Sequence, residues 1–257
     1  MTRLAGRRVL VVGAGTRPSP ESDAPMGNGR AIAVLAAREG AAVACADVDR
    51  AAAEETARLV EGEGGKAHVI VGDVTDPEVC AAVVDETVAA FGGLDGLVLN
   101  VGIAAGRRLD GTTAEQWDRT FAVNLRSHFL ISQAALPVMQ EGGAIVFISS
   151  VAGLNPGSQI PSYDSSKAGI VGLCRHVAII EGARKGVRAN VVAPGLIDTP
   201  LGRLATAGRP SRAKTPVPLG RQGTAEEVAG PVIFLLSNEA SYVTGAVLAV
   251  DGGLSTL

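Results

Sequence analysis

The sequence is poor in aromatic residues and contains no long hydrophobic run. Aromatic side chains make up 3% of the 257 residues and hydrophobic ones 47%, so the core must be built mainly from Ala, Val, Leu and Ile. Arg3, Arg7 and Arg8 precede an apolar run at 9–12, which is far too short for a signal-peptide core or a membrane span. We therefore expect a cytoplasmic protein with no membrane partner.

The three cysteines are too few and too scattered for a disulfide framework. Cys45, Cys80 and Cys174 are widely separated and odd in number, so they are expected to be small buried apolar residues. The three histidines are equally scattered, and none lies four positions from a second type of metal ligand. We predict no metal site.

The charge balance is slightly acidic. The 23 Lys and Arg residues and the 26 Asp and Glu residues give a formal net charge of -3. Such a chain lacks the basic field that a phosphate backbone or an anionic membrane surface would attract. We expect a small-molecule partner and no nucleic acid.

Short apolar runs alternate with longer Ala-rich segments of helical periodicity along the whole chain. This alternation is typical of repeated βαβ units and a parallel sheet. The predicted strands are 9–12, 42–46, 67–71, 96–99, 144–149, 187–192 and 246–250, and the predicted helices are 30–38, 51–60, 78–91, 117–139, 162–184 and 225–236. No linker interrupts the pattern. We predict one α/β domain over residues 1–257, a Rossmann-type doubly wound sheet of seven parallel strands flanked by helices.

A Gly-rich turn follows the first predicted strand, where a helix N-terminus could bind a pyrophosphate. The turn opens at Gly13, but prolines at 18, 20 and 25 exclude a regular helix directly after it. The helix is therefore expected to begin at Gly27-Asn28-Gly29. Residues 16–26 form either a flap over the cofactor or a surface loop that bulges away, since loops tolerate insertions at low cost.

Asp47 ends the second predicted strand, where a carboxylate can bind both ribose hydroxyls of NAD and repel a 2′-phosphate. Asp49 is a better candidate for capping the next helix, because it directly precedes it. We therefore favour NAD. NADP remains open because Arg17, in the inserted loop, could meet a 2′-phosphate.

Tyr163 and Lys167 lie four positions apart in a predicted helix, which puts both side chains on one face. A phenol has a reference pKa near 10, so it needs a neighbouring cation to act as an acid or base near neutral pH. Lys167 can supply that charge. Ser149 and Ser150 end the fifth predicted strand, and Asn124 lies inside the preceding long helix.

These motifs occur in the order and spacing found in short-chain dehydrogenases/reductases, which the chain resembles over nearly its whole length. The match includes Ser150 thirteen positions before Tyr163, and it extends to the C-terminal Asp251-Gly252-Gly253. In that family the first two glycines of the cofactor loop lie four positions apart, whereas Gly13 and Gly27 lie fourteen apart. The loop is therefore expanded by ten residues. The family's Asn-Asn-Ala-Gly segment is Leu99-Asn100-Val101-Gly102 here.

The resemblance implies a carbonyl held by Ser150 and Tyr163, hydride transfer from the nicotinamide, and proton donation by Tyr163. It also implies that Lys167 lowers the Tyr163 pKa and holds the nicotinamide ribose, that Asn124 relays protons through water, and that the protein is a homotetramer. The cofactor contacts implied by the whole pattern are Gly13, Gly27, Asn28, Gly29, Asp47, Asp73, Val74, Asn100, Gly102, Tyr163, Lys167, Pro194, Gly195, Ile197 and Thr199. The expected reaction interconverts a secondary alcohol and a ketone.

Three alternatives remain at this point: an imine reductase, a redox-neutral enzyme such as an epimerase or dehydratase, and a dinucleotide sensor without turnover. Substrate specificity is expected in the loop 200–222. Its cationic side chains either accept an acidic or acyl-carrier substrate or are simply solvated. They are Arg203, Arg209, Arg212, Lys214 and Arg221.

Overall fold

The predicted strands pair as parallel neighbours in one sheet. The computed structural model describes residues 2–21, 23–209, 211–212 and 215–256, and within them the sheet has seven strands in the order β3-β2-β1-β4-β5-β6-β7. The bounds are β1 Arg8–Val12, β2 Ala42–Asp47, β3 Ala67–Val71, β4 Leu94–Leu99, β5 Met139–Ile148, β6 Arg188–Pro194 and β7 Val247–Val250. The predicted single α/β domain with a Rossmann-type sheet is confirmed.

Helices connect the strands and begin at the predicted caps. The side chain of Asp49 accepts a hydrogen bond from Ala52 N–H at the start of α2, and that of Asp76 accepts one from Glu78 N–H at the start of α3. These caps satisfy N–H groups that have no partner within the helix. The bounds are α1 Asn28–Arg38, α2 Arg50–Gly62, α3 Pro77–Phe91, α4 Ala114–Phe121, α5 Ser127–Val138, α6 Pro161–His176, α7 Ala183–Lys185, α8 Pro200–Ala207 and α9 Ala225–Leu236.

Strand β1 illustrates how one sheet supports two core layers. Val9 and Val11 are fully buried in the layer shared with α1 and α9, whereas Leu10 and Val12 are buried in the layer shared with α3, α5 and α6. Successive side chains of a strand point to opposite faces of the sheet. An uninterrupted apolar run therefore fits a parallel sheet that is covered by helices on both sides.

The two long predicted helices are interrupted by π-helical turns. The predicted helix 117–139 begins earlier, at Ala114, and it consists of α4, a π-helical segment Ala122–Arg126 and α5. The predicted helix 162–184 consists of α6, a second π-helical segment Val177–Gly182 and α7. Gly186 ends α7 in the left-handed conformation at φ 67°, as its position after Lys185 predicted.

Helix α8 lies inside the predicted substrate loop and was not predicted. Its cap, Thr199, accepts a hydrogen bond from Gly202 N–H, and Pro200 occupies the first helical position. A Thr-Pro pair is a recognisable helix start. The short length of α8 and the Gly and Pro residues around it concealed this signal.

The chain starts at the centre of the sheet with β1, proceeds outward to β3, and then crosses back to β4 beside β1. Ligands of doubly wound folds bind at such a reversal of strand order, outside the carboxyl ends of the strands. None of the described helices is both long and apolar enough to cross a membrane. The described His, Cys, Asp and Glu side chains form no cluster of three that could bind a metal ion.

Candidate active site

A cleft of about 1030 Å³ opens at the carboxyl ends of β1 and β4. It is lined by every predicted site residue except Asn124. These residues are Gly13, Gly27, Asn28, Gly29, Asp47, Asp73, Val74, Asn100, Gly102, Ser150, Tyr163, Lys167, Pro194, Gly195, Ile197 and Thr199. The fold thus brings together residues that are distributed over the whole sequence.

The Gly-rich turn holds the start of α1 against the end of β1. Gly13 has φ +80°, which favours glycine, and its carbonyl oxygen accepts a hydrogen bond of 2.8 Å from Asn100 Nδ2. A Cβ on Gly29 would overlap that same carbonyl oxygen. The backbone therefore approaches too closely for any side chain, and the N-terminus of α1 faces the cleft.

This cradle fits a dinucleotide pyrophosphate. The first N–H groups of a helix lack partners within it and carry partial positive charge, which favours a bound anion. No side chain caps α1 at Gly27, and the buried Asn28 Oδ1 makes no hydrogen bond to the described residues. A polar atom left in this state is expected where a ligand supplies the missing partner.

Asp47 and Gly15 form the adjoining part of the cleft. Asp47 Oδ2 accepts a hydrogen bond of 2.8 Å from Gly15 N–H, and Oδ1 accepts one of 3.1 Å from Asp49 N–H. A Cβ on Gly15 would lie 2.8 Å from Asp47 Oδ2. Sequence reasoning missed this role of Gly15, although its position two residues after Gly13 was a signal.

Asp73 and Val74 line the same end of the cleft. Asp73 Oδ1 accepts a hydrogen bond of 3.0 Å from Thr75 N–H, and Oδ2 lies 4.0 Å from Arg119 Nη2. The Thr75 backbone bond and the nearby Arg119 hold the pKa of Asp73 below its ordinary value. This carboxylate is therefore ionised at neutral pH.

The two ends of the inserted segment 16–26 meet at the cleft, and its described residues do not all point away from the cleft. Thr16 Oγ1 accepts a hydrogen bond of 2.9 Å from Gly27 N–H, and Thr16, Arg17 and Pro18 line the cleft. Glu21 accepts a hydrogen bond from Arg203 Nη1 of α8 at 2.6 Å.

Arg203 also links the insertion to the region of the predicted substrate loop. Besides Glu21, it contacts Asp23 at 3.3 Å and donates two hydrogen bonds of 2.8 and 3.0 Å to Asp198. Four side chains from both regions thus form one ionic network.

Tyr163 and Lys167 project from one face of α6, as their spacing predicted. Lys167 Nζ lies 5.8 Å from the centre of the Tyr163 ring, and it donates a hydrogen bond of 2.9 Å to the Ile148 carbonyl at the end of β5. Only 3% of the lysine is exposed, and burial lowers its pKa to about 8. Part of its population is therefore uncharged in mildly alkaline solution.

The pKa of Tyr163 is governed mainly by desolvation. Burial raises this pKa above its ordinary value, and the negative charge of Asp164 raises it further. The Ser150 hydroxyl and the Arg212 charge oppose the increase, but desolvation of the phenolate outweighs them. The lowering of this pKa by Lys167, which the resemblance implies, stays a prediction. Tyr163 is protonated at neutral pH and can donate a proton.

Asn124 lies behind the lining of the cleft, next to Gly102, and its catalytic role stays a prediction. It is fully buried in the first π-helical segment. Its Oδ1 accepts a hydrogen bond from Ile103 N–H at 2.8 Å, and Nδ2 donates to the Ile103 carbonyl at 2.9 Å and to Ser166 Oγ at 3.0 Å. Asn124 therefore connects the segment after β4 to α6 and holds Tyr163 and Lys167 in position relative to it.

Comparison with known proteins gives the family. Residues 24–255 match the model of a family described as enoyl-(acyl carrier protein) reductase. The chain is 38% identical to 3-oxoacyl-[acyl-carrier-protein] reductase FabG of Thermotoga maritima, covering 98% of this chain and 99% of that protein. The chain belongs to the short-chain dehydrogenase/reductase family.

Further relatives agree with this assignment. The (3R)-3-hydroxyacyl-CoA dehydrogenase of Mus musculus is 37% identical, with 98% and 97% of the two chains covered. A short-chain type dehydrogenase/reductase from Mycobacterium marinum has a solved structure with TM-score 0.84 and 32% identity, covering 98% and 96% of the chains. This short-chain dehydrogenase/reductase is therefore an NAD(P)-dependent oxidoreductase for hydroxyl or carbonyl substrates.

Proposed function

We propose that this enzyme interconverts a secondary alcohol and a ketone with NAD(H), and that Tyr163 is the general acid and base. The observation that supports this most directly is that the Tyr163 phenol and the Ser150 hydroxyl line the cleft that begins at the glycine cradle. A proton donor and a second hydroxyl therefore lie within the same cavity as the dinucleotide site. Carbonyl reduction needs both within reach of one oxygen atom.

The substrate oxygen is held by the Ser150 hydroxyl and the Tyr163 phenol. When bound, the reduced nicotinamide supplies the hydride for the carbonyl carbon. Tyr163 donates its proton to the oxygen, and in the oxidative direction it accepts that proton. Because burial raises the Tyr163 pKa, the phenol carries its proton at neutral pH.

The remaining predicted residues would hold the cofactor. The first turn of α1 binds the pyrophosphate, Asp47 the adenosine ribose, and Lys167 the nicotinamide ribose. Asp73, Val74, Asn100 and Gly102 border the adenine and the central part of the cofactor, and Pro194, Gly195, Ile197 and Thr199 border the carboxamide. Asn124 is proposed to order the proton path by holding the Ile103 backbone.

Assays of NADH and NADPH oxidation with a panel of ketones, imines and activated alkenes test the reaction class. Ketone-dependent turnover supports the proposal. Turnover confined to imines favours the imine reductase. Substrate conversion without net cofactor oxidation favours a redox-neutral enzyme, and cofactor binding without turnover favours a sensor, for which the structure gives no specific argument.

Asp47→Asn is expected to reduce the preference for NAD over NADP, measured as the ratio of kcat/KM values, by roughly tenfold or more. The carboxylate repels a 2′-phosphate at short range, and a charge pair there changes the preference by about 1.4 kcal/mol or more. Asparagine keeps an acceptor for Gly15 N–H but removes the charge.

Asp49→Asn is the matched control for Asp47. Asp49 also lines the cleft, but its side chain caps α2 through Ala52 N–H. Because asparagine caps a helix about as well as aspartate, its substitution should leave both stability and cofactor preference nearly unchanged. A preference for NADP in the unmodified enzyme, or an unchanged ratio in Asp47→Asn, contradicts the assignment of NAD.

We also propose that the insertion 16–26 covers the bound cofactor and that Arg203 keeps it closed. The Glu21→Gln/Asp23→Asn variant should release NADH roughly three to ten times faster, because it removes two exposed ion pairs whose effects are small individually. Stopped-flow displacement at low and high salt measures this rate, and salt should reduce the difference.

Glu63→Gln is the control for the insertion. It breaks an exposed pair of similar length, 2.7 Å, between Glu63 and Arg38 at the C-terminal end of α1, whereas the insertion leads into the N-terminal end of that helix. Its NADH release rate should equal that of the unmodified enzyme. Equal rates in all three proteins would show that the insertion does not retain cofactor.

Two further expectations are proposals about the whole protein. We propose a homotetramer in which α5 and α6 are buried between subunits. The support is that large apolar side chains are exposed there, namely Phe129 on α5 and Ile179 and Ile180 after α6. Sedimentation at the monomer mass would contradict it.

The three cysteines are free thiols, which supports a reducing compartment such as the cytoplasm.

A further inference from the structure

The carboxylates that line the cleft are confined to one end. Asp47, Asp49 and Asp73 lie at the end formed by β2 and β3, where Arg119 lies beside Asp73. Around Tyr163 the charged lining residues are Lys167, Arg107, Arg209 and Arg212, and no carboxylate from the described residues lines that end. The end of the cleft around Tyr163 is therefore locally positive, although the whole chain has a net charge of -3.

Arg212 lines the cleft together with Tyr163. Its Nη1 donates hydrogen bonds of 2.6 Å to Thr206 Oγ1 and 3.1 Å to the Gly202 carbonyl, so the guanidinium is fixed against α8. The Arg212 charge lowers the pKa of Tyr163, whose phenol lines the same cleft. Burial lowers the pKa of Arg212, although an arginine remains charged at neutral pH.

Arg209 borders the cleft from the same segment. Its Nη1 donates hydrogen bonds of 2.7 Å to the Gly157 carbonyl and 3.1 Å to the Ser158 carbonyl. It thereby joins the segment after α8 to the loop that precedes α6. For both arginines, Nε and Nη2 make no hydrogen bond to the residues described by the structure, so each retains free donors.

The other arginines of the predicted substrate loop are already neutralised. Arg203 binds Asp198, Glu21 and Asp23, and Arg221 makes two hydrogen bonds to Glu227. Lys214 lies outside the described residues. The cationic side chains of the loop 200–222 therefore have different environments, and solvation alone does not account for all of them.

Arg209 and Arg212 are half-buried without an ionic partner. Neither makes a salt bridge with a described carboxylate, and Asp164, beside Tyr163 in α6, is not part of the cleft lining. A desolvated guanidinium is costly unless an anion compensates it. Arginine binds a planar carboxylate through two parallel hydrogen bonds, for which Nε and Nη2 are suited.

We propose that the substrate is a keto acid, reduced to a hydroxy acid, whose carboxylate is bound by Arg212 and Arg209 while its carbonyl lies on Tyr163. This inference rests on the proposed carbonyl reduction. The hydride forms the new C–H bond, the electron pair of the carbonyl π bond moves to oxygen, and the Tyr163 proton forms the O–H bond. The carboxylate is unchanged and serves only for recognition.

Matched substrates test the charge directly: acetoacetate against ethyl acetoacetate, and 4-oxocyclohexanecarboxylate against its ethyl ester. In the unmodified enzyme kcat/KM should favour each acid by about tenfold to a hundredfold, the usual effect of hydrogen bonds between charged groups. Arg212→Gln should remove most of this preference, because it should lower kcat/KM for the acids far more than for the esters.

Two variants separate recognition from folding. Arg212→Lys keeps the charge without the planar fork and should retain part of the preference. Arg221→Gln removes an arginine of the same segment that does not line the cleft, and it should leave the ratio of acid to ester unchanged. The melting temperature and the NADH dissociation constant are measured for each protein, so that a misfolded variant is recognised.

The possible outcomes separate the two proposals. Equal turnover of acid and ester, preference for the ester, or an unchanged ratio in Arg212→Gln overturns the carboxylate site. If neither acid nor ester is turned over, the proposed function fails for these ketones. Calorimetric binding of 3-hydroxybutyrate to the NAD complex then decides the site: binding lost in Arg212→Gln supports it, and equal or absent binding overturns it.

Discussion

Tyr163→Phe is expected to lower kcat for ketone reduction by roughly a thousandfold while leaving the NADH dissociation constant within about threefold. A positioned general acid contributes about 10²- to 10⁴-fold to a rate, and phenylalanine keeps the ring but not the proton. Steady-state kinetics with a reducible ketone measures kcat, and fluorescence titration measures NADH binding.

The pH dependence of the reverse reaction gives a second readout of the same residue. In alcohol oxidation Tyr163 must accept a proton, so it must first lose its own. Because burial raises the pKa of this phenol, the oxidation rate should increase with pH on the alkaline side. The residual activity of Tyr163→Phe should lack that increase.

The chain contains a natural control for this substitution. Tyr242 is the other tyrosine of the sequence, and it is fully exposed. Tyr242→Phe removes the same hydroxyl and should leave kcat unchanged. Comparable turnover by Tyr163→Phe and the unmodified enzyme would rule out Tyr163 as the proton donor.

The fold could be predicted because a buried strand can be recognised from a short stretch of sequence. In a parallel sheet covered on both faces, a strand is an apolar run, so Val9 to Val12 and Ala144 to Ile148 were recognisable. Helix ends and irregular turns are less visible. The π-helical segments have no distinctive composition, and α8 is short and surrounded by Gly and Pro residues.

The site could be predicted where the spacing along one helix determines the direction in which the side chains point. Tyr163 and Lys167 lie on one helix face because they are four residues apart. Asn124 is different, because its direction depends on bonds to Ile103 and Ser166, 21 and 42 positions away. These contacts could not be inferred from its own helix.

The raised pKa of Tyr163 could not be predicted for a related reason. Sequence showed the nearby charge of Lys167 but not the desolvation of the phenol, which raises its pKa. The same holds for the insertion, since the contact between Glu21 and Arg203 joins residues 182 positions apart. Long-range contacts and desolvation decide these features, and neither has a local pattern.

Among substitutions that add one methyl group to the Gly-rich turn, Gly29→Ala is expected to reduce stability and NADH binding the most. The new Cβ would overlap the Gly13 carbonyl oxygen and lie 2.7 Å from Asn100 Nδ2, so α1 must move away from β1. Alanine in a helix gains about 1 kcal/mol over glycine, but overpacking against backbone costs about 1–3 kcal/mol and sometimes more. We expect a net loss of about 2 kcal/mol and roughly a hundredfold weaker NADH binding.

Gly27→Ala separates this steric effect from a general sensitivity of the loop. Gly27 has φ −78°, and the nearest atom to an added Cβ, Thr16 Oγ1, is 3.4 Å away. This variant should bind NADH within about threefold of the unmodified enzyme and unfold at nearly the same temperature. Calorimetric titration and thermal unfolding compare the two variants. If Gly29→Ala is as stable and binds as well as Gly27→Ala, the close approach of α1 to Gly13 does not form the pyrophosphate site.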